Sequence, residues 1–203
     1  MRRITLAGLS LAALTCFVLP GAAAAQESTT RGFNLGFHLS GASLKVGDDE
    51  RSNAGGGGIL VGYGVNRTIM IFAQFDGAEF DVQNTDVEGK WTMGHGDLGV
   101  RFHFANSLRR WVPYLQAALS GRVVSVSDAT VNQQAETEVS LTGGAFTLGG
   151  GLLVYLKQTL ALDLQVAWSG GDFTEVSVGN LTVSGLNLEA QSSRFNVGLS
   201  WWP

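Results

Sequence analysis

Cysteine is almost missing from this 203-residue sequence; the single one, Cys16, lies close to the N-terminus. No disulfide framework can therefore hold the chain together. Proline is nearly as scarce, at 3 residues. No lysine falls between Lys90 and Lys157, and most arginines are scattered singly. A nucleic-acid partner needs a basic stripe, so that class of function is excluded. Past residue 19 no apolar run approaches the roughly 20 residues that a membrane-spanning helix requires. Glycine is the opposite case. There are 28, spread through apolar stretches rather than gathered in a low-complexity tract. The length suits one domain or one closed barrel.

The N-terminus points to export. Arg2 and Arg3 precede an apolar run over 4–19, Pro20 and Gly21 break it, and Ala23-Ala24-Ala25 forms an A-x-A cleavage site. Residues 1–25 are expected to be a cleaved signal peptide, with 26–203 as one barrel domain starting at Gln26. Cys16 loosely resembles a lipoprotein processing site, but the apolar run continues past it and Thr15 fits poorly. It reads as a small hydrophobe of the signal core. Loss of Arg2 and Arg3 makes a chain of net charge -4 more acidic still.

After the signal, alternation with period two dominates, which is the pattern of strands. Leu160, Leu162, Leu164, Val166 and Trp168 share one face; Ala161, Asp163, Gln165, Ala167 and Ser169 share the other. Leu98, Val100, Phe102 and Phe104 repeat this against Asp97, Gly99, Arg101 and His103. So do Phe195, Val197, Leu199 and Trp201 against Arg194, Asn196, Gly198 and Ser200. Further strands are predicted over 33–44, 56–65, 68–80, 111–126 and 141–156. The total is about eight, each near the roughly 9–11 residues of a tilted membrane strand. Short connections at 66–67, 105–110 and 157–158 alternate with long polar ones at 45–55, 81–90, 127–140 and 172–189. Short periplasmic turns and long extracellular loops are the outer-membrane pattern.

Alternation does not by itself separate a membrane barrel from a soluble one. The polar face does, because it consists of Gly, Ala, Ser and Asn with isolated charges, whereas a water-facing surface is about 25–35% charged. Such a face suits a crowded interior. Aromatic residues also gather near strand ends: Tyr63, Trp111, Trp201 and Trp202 toward the short turns, and Trp91, Phe80, Trp168 and Phe173 toward the long loops. Two lipid-interface girdles are expected. The reading is an all-β, eight-stranded, antiparallel up-and-down transmembrane barrel, closed because hydrocarbon leaves no partner for an open edge.

In architecture and alternation the chain resembles the small outer-membrane barrel families, OmpX and the membrane domain of OmpA. Its end, Phe195-Asn-Val-Gly-Leu-Ser-Trp201-Trp202-Pro203, is similar to their aromatic assembly signal, although it closes on proline. The resemblance implies a monomer in the bacterial outer membrane, surrounded by lipid and lipopolysaccharide. It also implies recognition by the barrel-assembly machinery through the last strand.

Inside, charges fall into two layers counted from the short turns. Arg101 and Asp163 form the lower layer; Asp76, Asp97 and Arg194 form the upper one. Opposite signs at matching depth predict hydrogen-bonded pairs. Gln74, Gln116, Gln165, His38, His103 and Arg122 are placed to extend this network. Eight strands leave an interior just wide enough for side chains, so a polar plug is expected rather than a wide pore. The long loops are rich in acids, among them Asp48, Asp49, Glu50, Asp172, Glu175 and Glu189. They could meet basic extracellular partners or divalent cations. Two short constellations suggest catalysis, His38-Leu39-Ser40 and His95-Gly96-Asp97, the first similar to the His/Ser pair of outer-membrane lipid A deacylases. The family motif lies in a later strand on the lipid side, whereas His38 and Ser40 lie in the first strand on the inward face, so no enzyme is expected; no residue is assigned to a cofactor or to a defined metal site. The leading expectation is a structural or surface-interaction role in the envelope. The alternatives are a narrow channel for small molecules, including apolar ones as in OmpW-type barrels, and a lipid-modifying enzyme.

Overall fold

The computed structural model describes residues 29–46, 52–80, 90–104, 110–131, 134–178 and 181–203. The signal-peptide expectation lies outside them. Eight strands follow in chain order: β1 (Gly32–Val46), β2 (Ser52–Gly64), β3 (Ile69–Phe80), β4 (Lys90–His103), β5 (Trp111–Val131), β6 (Gln134–Lys157), β7 (Leu160–Val178) and β8 (Leu181–Trp201). Each pairs antiparallel with its chain neighbours, and β8 returns to β1 through Leu35↔Trp201 to Val46↔Ala190. The sheet is a closed barrel.

Among the described residues, tight turns join β2 to β3 and β6 to β7 at one end. Between β2 and β3 the Asn66 side chain accepts from the backbone N–H groups of Thr68 and Ile69, both at 2.8 Å. This is the local bond that makes asparagine a turn residue. At the other end the expected long loops need correction. Residues 127–140 and 172–189 are largely strand, since β5 reaches Val131, β6 starts at Gln134, β7 reaches Val178 and β8 starts at Leu181. Segments such as Val123-Val124-Ser125-Val126 and Val176-Ser177-Val178 keep β-branched residues and alternation. A hairpin ladder therefore continues past the membrane, where its polar groups need no lipid match. The 45–55 connection also shrinks, because β1 ends at Val46 and β2 begins at Ser52.

The outward face carries large exposed hydrophobics all around the wall, including Phe37, Leu39 at 76%, Ile71, Leu98, Leu119 at 72% and Leu199. An apolar surface that encircles the molecule far exceeds any patch a water-soluble monomer shows, and it is the lipid-facing band. One aromatic girdle lies at the short-turn end, with Tyr63, Trp111 and Trp201 pointing outward and exposed.

The second girdle does not form as expected. Trp168 points outward. Trp91 shares parity with the buried Met93 and His95, and it packs against an inward cluster of Leu44, Met93, Val124, Phe173 and Ala190. Phe173 is fully buried in that cluster, and the Phe80 side chain lies outside the described residues. The outward positions at this level are instead glycines, among them Gly41, Gly55, Gly77, Gly94 and Gly121. A Cβ built at any of these five would meet nothing within 4 Å. Trp202 is a further correction. Period two turns it inward next to the outward Trp201; it is 1% exposed and stacks on Tyr155 at 5.7 Å. It packs with Val112, Tyr114, Leu153, Tyr155 and Ala161 in a buried cluster at the short-turn end of the lumen.

Candidate functional site

The lumen holds the polar chemistry, and parity decides who reaches it. In β3 the even positions Met70, Phe72, Gln74 and Asp76 are buried, as are the odd positions His95, Asp97, Arg101 and His103 of β4. Small inward residues opposite large ones make this packing feasible. His38 of β1 pairs in register with Gly58 on one side and Gly198 on the other. A Cβ on Gly58 would stand 2.6 Å from His38 Nε2 and 2.7 Å from Asp76 Oδ1. Glycine at that position lets a β1 side chain cross β2 to a β3 carboxylate.

The upper layer is centred on Arg194 of β8. Its Nη1 donates to Asp76 Oδ2, and its Nη2 donates to Asp97 Oδ2 at 2.7 Å. All three side chains are at most 5% exposed. Each carboxylate gathers further donors. Asp76 accepts from His38 Nε2 at 2.5 Å, Gln74 Nε2 at 3.0 Å and Ser40 Oγ at 3.4 Å. Asp97 accepts from His95 Nε2 at 2.9 Å and Ser120 Oγ at 2.5 Å. From Ser120 the chain continues to Thr147 and then Ser169, both steps at 2.6 Å. Toward β7 and β8, Gln165 donates to Gln74 at 3.2 Å, and Asn196 donates to Gln165 at 2.9 Å.

The lower layer is a separate cluster. Arg101 is fully buried and donates through Nη1 to Asp163 Oδ2 and through Nε to Gln116 Oε1, both at 3.0 Å. Tyr114 donates to the other oxygen of Asp163 at 2.7 Å. The Arg101 guanidinium also lies 3.9 Å over the Tyr114 ring, where the ring quadrupole attracts a cation.

Two residues expected in the network stand outside its side-chain hydrogen bonds. His103 is buried but makes none; its ring packs edge-on against Tyr114 at 5.9 Å. It shares parity with the network, but its place near the barrel end sets it among aromatics. Among the described residues Arg122 donates to the backbone oxygen of Ala190 at 3.2 Å, and it lies 5.2 Å over the Phe173 ring. It sits one rung above the Asp97 layer, against the apolar cluster. Asp76, Asp97, Arg101, Asp163, Gln165 and Arg194 are hydrogen-bonded as described above. The sequence places Ser169 on the polar face of its strand but does not point to Ser120, Thr147, Tyr114 or Gly58, although the inward parity of their strands is readable.

In both constellations that suggested catalysis the histidine and a serine converge on one carboxylate. The acid that β1 lacks beside His38 is supplied by Asp76 of β3. Ser40 and His38 both donate to that carboxylate, and Ser120 and His95 likewise share Asp97. In a hydrolytic site the nucleophile and its base lie within hydrogen-bond reach, often more loosely without substrate. Among the described residues no serine hydroxyl is hydrogen-bonded to a histidine.

Residues 9–201 match the family model described as outer membrane protein beta-barrel domain. Sequence comparison with curated proteins gives no match. Among solved structures the chain is similar to Neisserial surface protein A, with a TM-score of 0.63 and 15% identity over 84% of this chain and 96% of that one. It is also similar to OprG from Pseudomonas aeruginosa, with a TM-score of 0.57 and 12% identity over 86% and 97%. A third is the attachment invasion locus protein Ail of Yersinia pestis, with a TM-score of 0.54 and 11% identity over 84% and 99%. At these identities the likeness is one of fold. The encircling apolar band, the closed eight-stranded wall and the family match agree: the chain belongs to the outer membrane protein beta-barrel domain family.

Proposed function

We propose that this protein is a sealed barrel that serves the envelope structurally or through its extracellular hairpins, and does not conduct. The observation that carries this reading is Arg194, held across the lumen between Asp76 and Asp97. An ion entering would have to displace a buried guanidinium from both carboxylates, and breaking such a pair costs about 3–5 kcal/mol. The Trp202–Tyr155 stack below and the Leu44–Phe173 cluster above add apolar layers that an ion would also have to cross. Two proteins of the same fold carry surface roles in their names, Neisserial surface protein A and the attachment invasion locus protein. Residues 1–25 are read as the export signal, and the last strand as the segment met by the assembly machinery. The mature protein is taken as a monomer among outer-membrane lipid and lipopolysaccharide.

Planar-bilayer recording tests the sealed lumen. The wild-type protein is expected to give no steady openings, and reproducible openings would establish a narrow channel instead. Mass spectrometry of lipid A with and without the protein tests the non-enzymatic part, with an unchanged acyl pattern expected. The intact mass of protein recovered from outer membranes should correspond to a chain starting at Gln26.

A further inference from the structure

The upper lumen gathers buried donors that lack acceptors. Arg122 is fully buried; its Nη1 reaches the Ala190 oxygen, but its Nε and Nη2 have no partner among the described residues. Ser192 lies two residues from Ala190 on the same face of β8, is 2% exposed, and its Oγ is equally unpartnered. Arg194, two residues further on, leaves Nε unused while Nη1 and Nη2 hold Asp76 and Asp97. Arg122 reaches β8 past β6, where its partner in register is Gly143; a Cβ there would collide with the β7 backbone.

The charge of Arg122 is unmet as well. Asp97, one rung below, is already committed: Oδ1 to His95, Ser120 and Thr147, and Oδ2 to Arg194. Asp172 of β7 is exposed and shares its face with Gly144, outside the lumen. Among the described residues Arg122 forms no ion pair. A buried cation without a partner is strongly disfavoured. A water molecule could accept its hydrogen bonds but could not offset its charge. The lining beside it is apolar, formed by Leu44, Met93, Val124, Phe173 and Ala190. Such a lining strips hydration, which penalises phosphate or sulfate far more than a small monovalent anion.

We propose that Arg122, Ser192 and the Nε of Arg194 hold one small monovalent anion of the halide class, taken up together with a proton on His95. His95 is the β4 partner of Arg122 in register, is 4% exposed, and has an unpartnered Nδ1. The charged groups around it are Asp97 on its own strand, Asp76 of β3, Arg122 of β5 and Arg194 of β8. These two acids and two arginines sum to zero, so an anion alone would leave one negative charge in the interior. A proton on His95 Nδ1 cancels that charge and turns the nitrogen from an acceptor into a donor. Nε2 keeps its bond to Asp97 in both states. The anion sits within the plug, between the Asp97 layer and the apolar cluster, and needs no conducting lumen.

Full-length protein refolded in lipid can be unfolded with urea in sodium bromide or sodium fluoride of equal ionic strength, with the heat-modifiable gel shift as the measure of folded protein. Arg122→Met reports the general effect of each salt. Relative to it, the wild type is expected to gain stability in bromide and not in strongly hydrated fluoride. The bromide Kd, taken from the rise of the midpoint with concentration, should be at least about tenfold lower at about pH 5.5 than at about pH 8. His95→Gln should abolish that pH dependence. Anomalous diffraction from wild-type crystals grown in bromide needs no variant, and a peak within hydrogen-bond distance of Arg122 and Ser192 is expected. No such peak, an equal response of wild type and Arg122→Met, or a bromide gain identical at both pH values overturns the inference. So does a bromide gain that appears only when Asp48, Asp49 and Glu50 are neutralised, which would assign the negative charge to one of those acids. Bromide binding in a barrel that conducts refutes the sealed lumen alone and supports the anion site.

Discussion

His38 of β1 and Asp76 of β3 meet at 2.5 Å although their strands are not neighbours in the sheet. They reach each other over Gly58 of the intervening strand β2. The contact ties three strands together on the lumen side and brings a fourth, β8, in through Arg194. Removing the space it uses should therefore loosen the barrel from within.

Gly58→Val fills that space with a branched side chain. Overpacking of this kind costs about 1–3 kcal/mol. A lower urea midpoint for the unfolding of refolded protein in lipid is the expected outcome, and an unchanged midpoint would contradict the crossing geometry.

Gly121→Ala is the counterpart on the outer face. A Cβ there meets nothing within 4 Å, and glycine within a strand costs roughly 0.5–1 kcal/mol relative to alanine. The same measurement should show a midpoint equal to or above that of the wild type.

Arg194→Met leaves Asp76 and Asp97 buried without their shared cation. Loss of about 3–5 kcal/mol is expected. Adding Asp76→Asn and Asp97→Asn removes the stranded charges and should restore part of it, a non-additivity that a mutant cycle measures. Strictly additive losses would show that the three side chains do not act as a unit.

Trp202→Ala and Trp111→Ala separate the two environments at the short-turn end. Trp202 is buried on Tyr155, so its truncation should cost about 3–5 kcal/mol. Trp111 is 60% exposed on the lipid face, and its truncation should cost far less. Comparable losses would argue against the inward placement of Trp202.

Much of this architecture was legible along the chain. Alternation in 160–169 and 97–104 separated lipid-facing from lumen-facing residues, because strand geometry sends successive side chains to opposite faces. Elsewhere the neighbouring strands decide the outcome. Trp91 and Phe173 sit near the loop end, as an interface girdle requires, yet their parity and the cluster around Leu44 and Met93 turn them inward. The polar residues of 127–140 have the composition of a loop, whereas continued pairing between β5 and β6 keeps most of the stretch extended.

The sequence by itself determined the expectation of export, the strand class, the number of strands and the identity of the inward charges. All of these follow from local composition and from a period of two. Only the tertiary structure decided which charges touch. The closing of the barrel sets the stagger between strands, and the stagger brings Arg194 level with Asp76 and Asp97 while leaving Arg122 one rung too high. It also pairs β8 with β7 as far as Val178↔Leu181, beyond the last described β1 pair at Val46↔Ala190, an extension that one strand at a time cannot show.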